Sequence, residues 1–150
     1  MSEIKEKLYI LCHDYIANRV SVIKQNVAEA QEAAGEDTKS SAGDKFEVGR
    51  EMMQQEIELN LSRLGEMYKL QIALENVTPT IKNQLVAPGA LVYTTNGVYY
   101  ISIGAGKLLL DGTTYYAISP EAPIAIQMMG KKTGEAFELN GKNITVEKVY

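Results

Sequence analysis

The chain has 150 residues, of which 45% are hydrophobic and 23% charged, and its formal net charge is −4 at pH 7. Because affinity for the nucleic-acid backbone comes mainly from basic side chains, an acidic chain without a dense lysine and arginine block is not expected to bind DNA sequence-specifically. A single cysteine and a single histidine exclude an intrachain disulfide, a zinc ribbon and most Cys/His catalytic sites.

The N-terminal segment predicts a soluble cytoplasmic protein. Charged residues begin at the third position, and the apolar run that follows is too short for a secretory signal. No window approaches the ~18 consecutive apolar residues of a membrane span. We therefore expect neither export nor membrane association.

The residue pattern changes character near Thr78, which predicts two domains. Residues 1–78 carry 14 acidic and 9 basic residues, whereas residues 79–150 carry 5 and 6. The second part also holds all four prolines and most of the glycines. Residues 1–78 are therefore expected to be helical and acidic, and residues 79–150 to form a separate domain.

The first predicted helix runs from about residue 2 to about residue 34, a stretch without proline or glycine. Near its start the apolar surface is wide, at residues 8–12, and it can be buried either against the C-terminal half or against another copy of the chain. Further along, apolar residues recur at alternating steps of four and three, which is the seam of a coiled coil. These residues are Ile16, Val20, Ile23, Val27, Ala30 and Ala34.

The second predicted helix runs from about residue 44 to about residue 76 and repeats this spacing. Two such helices joined by a short segment bury their seams most simply as an antiparallel pair. At ~1.5 Å per residue, about 30 residues in each helix give a length of ~45 Å. The apolar positions of the second seam are Met53, Ile57, Leu61, Leu64, Tyr68 and Ile72.

The segment between the helices, residues 35–45, is the expected tip of this hairpin. Gly35 can end the first helix in the left-handed conformation that glycine adopts at little cost. The acids Glu36, Asp37 and Asp44 are favourable near helix N-termini and solubilise a turn, which is the best explanation from residue chemistry alone. Four capping residues offer alternative starts for the second helix: Thr38, Ser40, Ser41 and Asp44.

Beyond residue 90 hydrophobic residues alternate along the chain with a period of two, as in β-strands. Strand-like segments flank the dipeptides Asn96-Gly97, Asp111-Gly112 and Asn140-Gly141, and these predict three β-hairpins. Two prolines interrupt the ladder at 120 and 123, and residues 124–129 predict a short helix. The sequence therefore predicts an α+β fold, with an antiparallel coiled-coil hairpin over residues 1–78 and a small antiparallel β domain over residues 79–150.

The most specific motif of the chain is AISPEAPIA at 117–125, followed by MMGKK at 128–132 and TGE at 133–135. This succession resembles the signature of the Gre family of transcription elongation factors, in which a segment close to ISVSSPIA precedes an apolar pair, GK and GD/E. The terminal ITVEKVY and the N-terminal coiled coil complete the resemblance. Eight residues fall in register: Ile118, Ser119, Pro123, Ile124, Ala125, Gly130, Lys131 and Gly134.

The resemblance implies both a fold and a function. Gre factors dock an FKBP-like C-terminal domain on the rim of the secondary channel of bacterial RNA polymerase and insert the coiled coil, so that acids at its tip reach the active site. There the acids help hold the second Mg²⁺ and a water near the RNA 3′ end, and the polymerase cleaves the transcript of a backtracked complex. Carboxylates suit Mg²⁺ because they are hard oxygen ligands.

By this resemblance the protein is not itself an enzyme, has no cofactor of its own and shares the Mg²⁺ of the polymerase. Asp37 matches the first tip acid of the family. Since Ser40 stands at the family's second acid position, Glu36 or Asp44 supplies the second carboxylate. The loop that meets the polymerase comprises four residues: Ser119, Pro120, Pro123 and Ile124.

Two other functions are compatible with the same residues. A Gre-like protein with an altered tip can enter the channel and modulate transcription without promoting cleavage. A coiled-coil scaffold or chaperone with an FKBP-like domain would be unrelated to transcription. Shortening of RNA in a backtracked complex separates the first two functions, and failure to co-purify with polymerase would support the third.

Overall fold

The computed structural model describes the backbone of residues 2–37 and 43–150 and the side chains of residues 3–33 and 48–150. Its fold is α+β: two long N-terminal helices precede a six-stranded mixed sheet and one short helix. The helices are α1 (Ser2–Asp37), α2 (Gly43–Glu75) and α3 (Pro123–Met128). The strands are β1 (Leu91–Thr94), β2 (Gly97–Ile101), β3 (Gly106–Leu110), β4 (Thr113–Ile118), β5 (Ala136–Leu139) and β6 (Lys142–Val149).

The three predicted β-hairpins are present as β1/β2, β3/β4 and β5/β6. In the last two, both turn residues have positive φ, with Asp111 at 49° before Gly112 at 79° and Asn140 at 53° before Gly141 at 76°. This is the type I′ geometry that matches strand twist. The first turn is displaced by one residue from the predicted Asn-Gly pair, because Gly97 is already paired in β2.

The prediction of an antiparallel sheet is wrong at one pair of strands. The sheet order is β3-β4-β2-β1-β6-β5, and β2 and β4 are parallel, with Tyr99 opposite Tyr116. A turn dipeptide determines how the two strands of its own hairpin pair. It does not determine which of these two strands lies beside a strand of the next hairpin. Here β4 takes the inner position because it buries Tyr115 and Ala117, whereas edge strand β3 leaves Leu109 70% exposed.

A buried cluster connects the sheet with α3 and the segment before β1. Half-buried side chains, including Ile124, pack around it. Since its buried members come from the segment before β1 and from β1, β2, α3, β5 and β6, the cluster fixes the short helix and the segment before β1 onto the sheet. Its buried members are Val86, Ala90, Val92, Tyr99, Ile101, Met128, Phe137, Ile144 and Val146.

The chain divides into two compact units. One unit comprises Met1–Tyr15 and Leu70–Tyr150, and the other comprises Ile16–Lys69. We call them the sheet unit and the helical unit. Within the sheet unit, Leu8 and Cys12 of α1 and Leu74 of α2 are completely buried. Of the two alternatives for the wide apolar surface at the start of α1, the structure shows burial of Leu8 and Cys12 within their own chain, whereas Ile10 is 57% exposed.

Lys5 is the unexpected anchor of α1 in the sheet unit. The residue is only 1% exposed, and its Nζ donates hydrogen bonds to the carbonyl oxygens of Ile81 at 2.6 Å and Tyr150 at 3.2 Å. Burial lowers the pKa of the Lys5 ammonium. The side chain thus connects the first turns of α1 with the segment before β1 and with the residue that follows β6.

The predicted seam of α2 is wrong in its second half. Ile57 is buried as expected, but Leu61, Tyr68 and Ile72 are 51%, 44% and 62% exposed. A continuous helix has one rotational phase, and counting back from the buried Leu74 in steps of three and four places other residues inside. Those residues are Gln71, Met67, Leu64, Asn60, Ile57 and Met53, all buried or half-buried.

We expect Lys5→Ala to lower the free energy of unfolding by about 3 kcal/mol, because it leaves two carbonyl oxygens without this donor and opens a cavity. Lys7→Ala is the matched control, since the Lys7 side chain is 47% exposed and pairs with Glu3 on the helix surface. That variant should change stability by less than about 0.5 kcal/mol. Urea unfolding of both variants checks the difference, and equal effects would rule out the anchoring role of Lys5.

Candidate functional site

The tip acids lie at the junction of the two long helices. Glu36 and Asp37 are the last residues of α1, Asp44 is the second residue of α2, and residues 38–42 separate them. The side chains of these three acids lie outside the described residues. Because α1 continues past Gly35, the predicted helix end there was two residues early; glycine permits a helix end without requiring one.

The predicted docking residues lie in the loop between β4 and α3 and in the first turn of α3. The Ser119 Oγ accepts a hydrogen bond from the Glu121 N–H at 3.1 Å, and the Ser119 carbonyl oxygen accepts from the Ala122 N–H at 3.0 Å. Pro123 then occupies the first turn of α3, where its missing N–H costs nothing. Ser119 and Pro123 therefore restrict the backbone conformation of this loop and of the helix start that follows it.

This loop presents some side chains and buries others. Ile124 is half-buried against the core cluster, while Ser119 and Pro120 are half-buried and Pro123 is exposed. Ile126 is 60% exposed and lies three residues after Pro123, on the same side of α3. Sequence reasoning missed Ile126, because its exposure depends on which side of α3 the core cluster covers.

Two glycines of the resemblance motif have structural roles. Gly130 has φ of 79° and Gly134 has φ of 92°, conformations that favour glycine. The Gly130 N–H donates to the Val86 carbonyl oxygen and the Val86 N–H donates to the Lys131 carbonyl oxygen, both at 2.8 Å. These residues fasten the chain after α3 to the segment before β1, so they position the loop without needing to contact a partner.

The sheet unit also buries a small group of polar side chains. The Cys12 Sγ lies 3.7 Å from the Ser102 Oγ, and burial raises the pKa of the Cys12 thiol, an effect that the Ser102 hydrogen bond opposes. A protonated, buried thiol is a poor nucleophile. Among the residues that the structure describes, the Tyr100 hydroxyl has no hydrogen-bond partner, and burial raises the pKa of Tyr100. This group therefore packs the base of α1 against the end of β2 and the residue that follows it.

In the part of the chain that the structure describes, no three His, Cys, Asp or Glu side chains are grouped so that they could hold a metal ion. In the same residues, no helix combines the length and apolar character needed to cross a membrane. No protein-family model matches this chain, and no curated protein matches it.

We expect Tyr100→Phe to raise the free energy of unfolding by about 1 kcal/mol or leave it unchanged, because the variant removes a buried hydroxyl that has no partner. The raised pKa means that folded Tyr100 retains its proton above pH ~10, where the unfolded residue loses it. Wild-type stability should therefore fall as the pH rises above ~10, and less steeply in the variant.

The neighbouring Tyr99→Phe is the control for this prediction. The Tyr99 hydroxyl accepts a hydrogen bond from the Asn96 Nδ2 at 2.9 Å, so its removal should cost about 1 kcal/mol. Chemical denaturation of both variants at several pH values makes the comparison. A clear loss of stability at neutral pH in Tyr100→Phe would contradict the absence of a partner for its hydroxyl.

Proposed function

We propose that the chain is a Gre-like transcription elongation factor that binds bacterial RNA polymerase at its secondary channel. In this proposal residues 1–78 form an antiparallel coiled-coil hairpin and residues 79–150 form an FKBP-like docking domain. The hairpin carries its acidic tip toward the active site, and the polymerase then cleaves the transcript and rescues backtracked complexes. The protein acts in the cytoplasm and regulates transcription without being an enzyme itself.

One combination of features carries this proposal. Two helices of 36 and 33 residues are joined where the acids lie, and the same chain carries the serine- and proline-containing loop between β4 and α3. At ~1.5 Å per residue, α1 alone measures ~54 Å. A long helix that ends in acids suits delivery of carboxylates into a narrow channel, and a separate sheet unit provides a base that can remain outside it.

In the proposed chemistry the acids at the hairpin tip act as ligands for a metal ion of the polymerase. Asp37 and one further acid, Glu36 or Asp44, contact the loosely held Mg²⁺ of the polymerase and the water that it activates. Carboxylate oxygens stabilise such an ion by charge and direct coordination. The metal belongs to the polymerase active site, and the chain contributes ligands only when it is bound there.

The proposed docking surface is the loop at residues 119–124 with the first turns of α3. Interface cores are rich in apolar side chains that lose their exposure on binding. Pro123 and Ile126 are already exposed on one side of α3 and are held by a helix that the core cluster fixes. A preformed surface of this kind loses little conformational entropy when it binds.

The function is tested with the full chain, RNA polymerase from the same organism and a backtracked elongation complex. Wild-type protein should accelerate RNA shortening, and Asp37→Asn should reduce this acceleration at least about tenfold because a metal ligand loses its charge. Glu32→Gln is the matched control, since Glu32 is an exposed acid one and a half turns earlier on α1. Loss of activity in both variants would indicate a general charge effect and not a metal ligand.

A second candidate function is favoured by Ser40, which stands where the family has its second tip acid. A protein that binds the polymerase and occupies the channel without promoting cleavage would fit this substitution. Binding without RNA shortening by the wild type, followed by gain of shortening in Ser40→Asp, would select this candidate. Absence of polymerase binding would reject both functions.

Docking is tested separately from cleavage. Ile126→Glu should weaken binding to polymerase by at least about tenfold, which corresponds to about 1.4 kcal/mol, because a charge would be desolvated in the interface. Leu109→Glu is the control, since Leu109 is an exposed apolar residue on β3 of the same sheet unit. Fluorescence titration with polymerase checks both variants, and equal affinities would move the docking surface away from α3.

A further inference from the structure

The part of α2 between Ile57 and Leu74 buries very little apolar surface. These two residues are 9% and 0% exposed, but no apolar side chain between them is buried. Residues 58–73 are all described by the structure, and the one buried residue among them is polar: Asn60 is 3% exposed. Because packing of an apolar face supplies most of the stability of a helix in a protein, this stretch is held less firmly than its two ends.

Asn60 does not compensate for the missing apolar contacts. Its Nδ2 donates a hydrogen bond to the Glu56 carbonyl oxygen of the preceding turn at 3.0 Å, and its Oδ1 has no partner among the described residues. The hydrogen bond that the side chain makes is therefore with its own helix, and it does not tie α2 to α1.

An open groove separates the two long helices at the same level. Its volume is about 640 Å³, and its walls come from residues 18–26 of α1 and residues 60–67 of α2. Close-packed protein interiors leave few voids larger than a water molecule, so the side chains of the two helices do not interdigitate fully here. On α1, Ile16 and Ile23 are nevertheless only 4% and 8% exposed. The weakly packed partner is therefore α2.

Gly65 lies in the middle of this stretch, and no contact requires a glycine there. A Cβ added to Gly65 would meet no atom within 4 Å, and its φ is not among the positive values of the chain. Alanine would fit, yet a glycine inside a helix is less stable than an alanine. A residue that weakens the helix thus coincides with the stretch that packing supports least.

We propose that residues 58–69 of α2 form a hinge, at which the helix opens locally and bends while the rest of the chain stays folded. Local opening is easiest where few buried apolar contacts support the backbone hydrogen bonds, and a hinge needs only a few residues that absorb a change in backbone dihedrals. Bending here redirects the part of α2 that leads to Asp44 and leaves the buried Leu74 in place. The inference does not depend on polymerase binding, since it uses only contacts of α1 and α2.

Native-state hydrogen exchange of the full chain tests the hinge, because it measures local opening residue by residue. We expect the backbone amides of residues 61–69 to exchange at least about tenfold faster than those of residues 18–26 on the other wall of the groove. Gly65→Ala should slow exchange in residues 61–69 about fivefold, since alanine favours the helix. Gly49→Ala is the matched control: it makes the same change in α2 outside this stretch and should leave those amides unchanged.

The bend itself is measured by electron paramagnetic resonance between spin labels at Glu51→Cys and Glu75→Cys, two exposed positions of α2. The native Cys12 is completely buried and is protected from labelling. A straight helix separates the labelled positions by ~36 Å, and the hinge predicts a broad distance distribution that Gly65→Ala narrows.

Three results would overturn the proposal: equal exchange on the two walls of the groove, equal effects of the two glycine substitutions on residues 61–69, or a narrow distance distribution in the wild type. Failure of the protein to accelerate RNA shortening, with the hinge confirmed by exchange and distances, would count against the proposed function alone.

Discussion

The first turns of α1 and the end of α2 are buried in the sheet unit. Lys5, Leu8 and Cys12 hold the first turns of α1, and Leu74 holds the end of α2. Because an α-helix is continuous, the residues that face inward at its anchored end determine which residues face inward further along it. In the helical unit the inward positions of α2 recur at steps of three and four, with Asn60 buried and Leu61 beside it exposed.

Local sequence signals predicted the elements and failed where distant contacts decide. The helices and hairpins were predictable because helical periodicity and turn dipeptides act over a few residues, as Asp111-Gly112 and Asn140-Gly141 show. The parallel pairing of β2 with β4 was not predictable, since it depends on how much of β4 the core can bury. Lys5 was also missed: a lysine in an amphipathic helix is normally solvated, and only the carbonyl oxygens of Ile81 and Tyr150 make its burial favourable.

In the candidate docking surface, too, some features are determined by local sequence and others by contacts with distant residues. The Ser119 turn and Pro123 at the start of α3 could be identified from the chain, because both residue types shape the backbone locally. The exposure of Ile126 could not, since it depends on which side of α3 the core cluster covers. Gly130 shows that a residue matching a functional motif can serve to position the loop, through its positive φ and its bond to Val86.

On α2 the helical phase and the apolar sequence disagree. Shifting the seam by one residue would bury Leu61, Tyr68 and Ile72 and expose Asn60, which would satisfy the hydrophobic pattern of an isolated hairpin. The structure instead buries an amide with an unsatisfied oxygen and leaves Leu59 and Leu61 half-exposed on opposite sides of the helix. Local and global preferences normally agree in a folded chain, and disagreement concentrates where a surface serves binding. The side of α2 that carries Leu59 also carries the groove and the unpartnered oxygen, whereas nothing comparable accompanies Leu61 among the described residues.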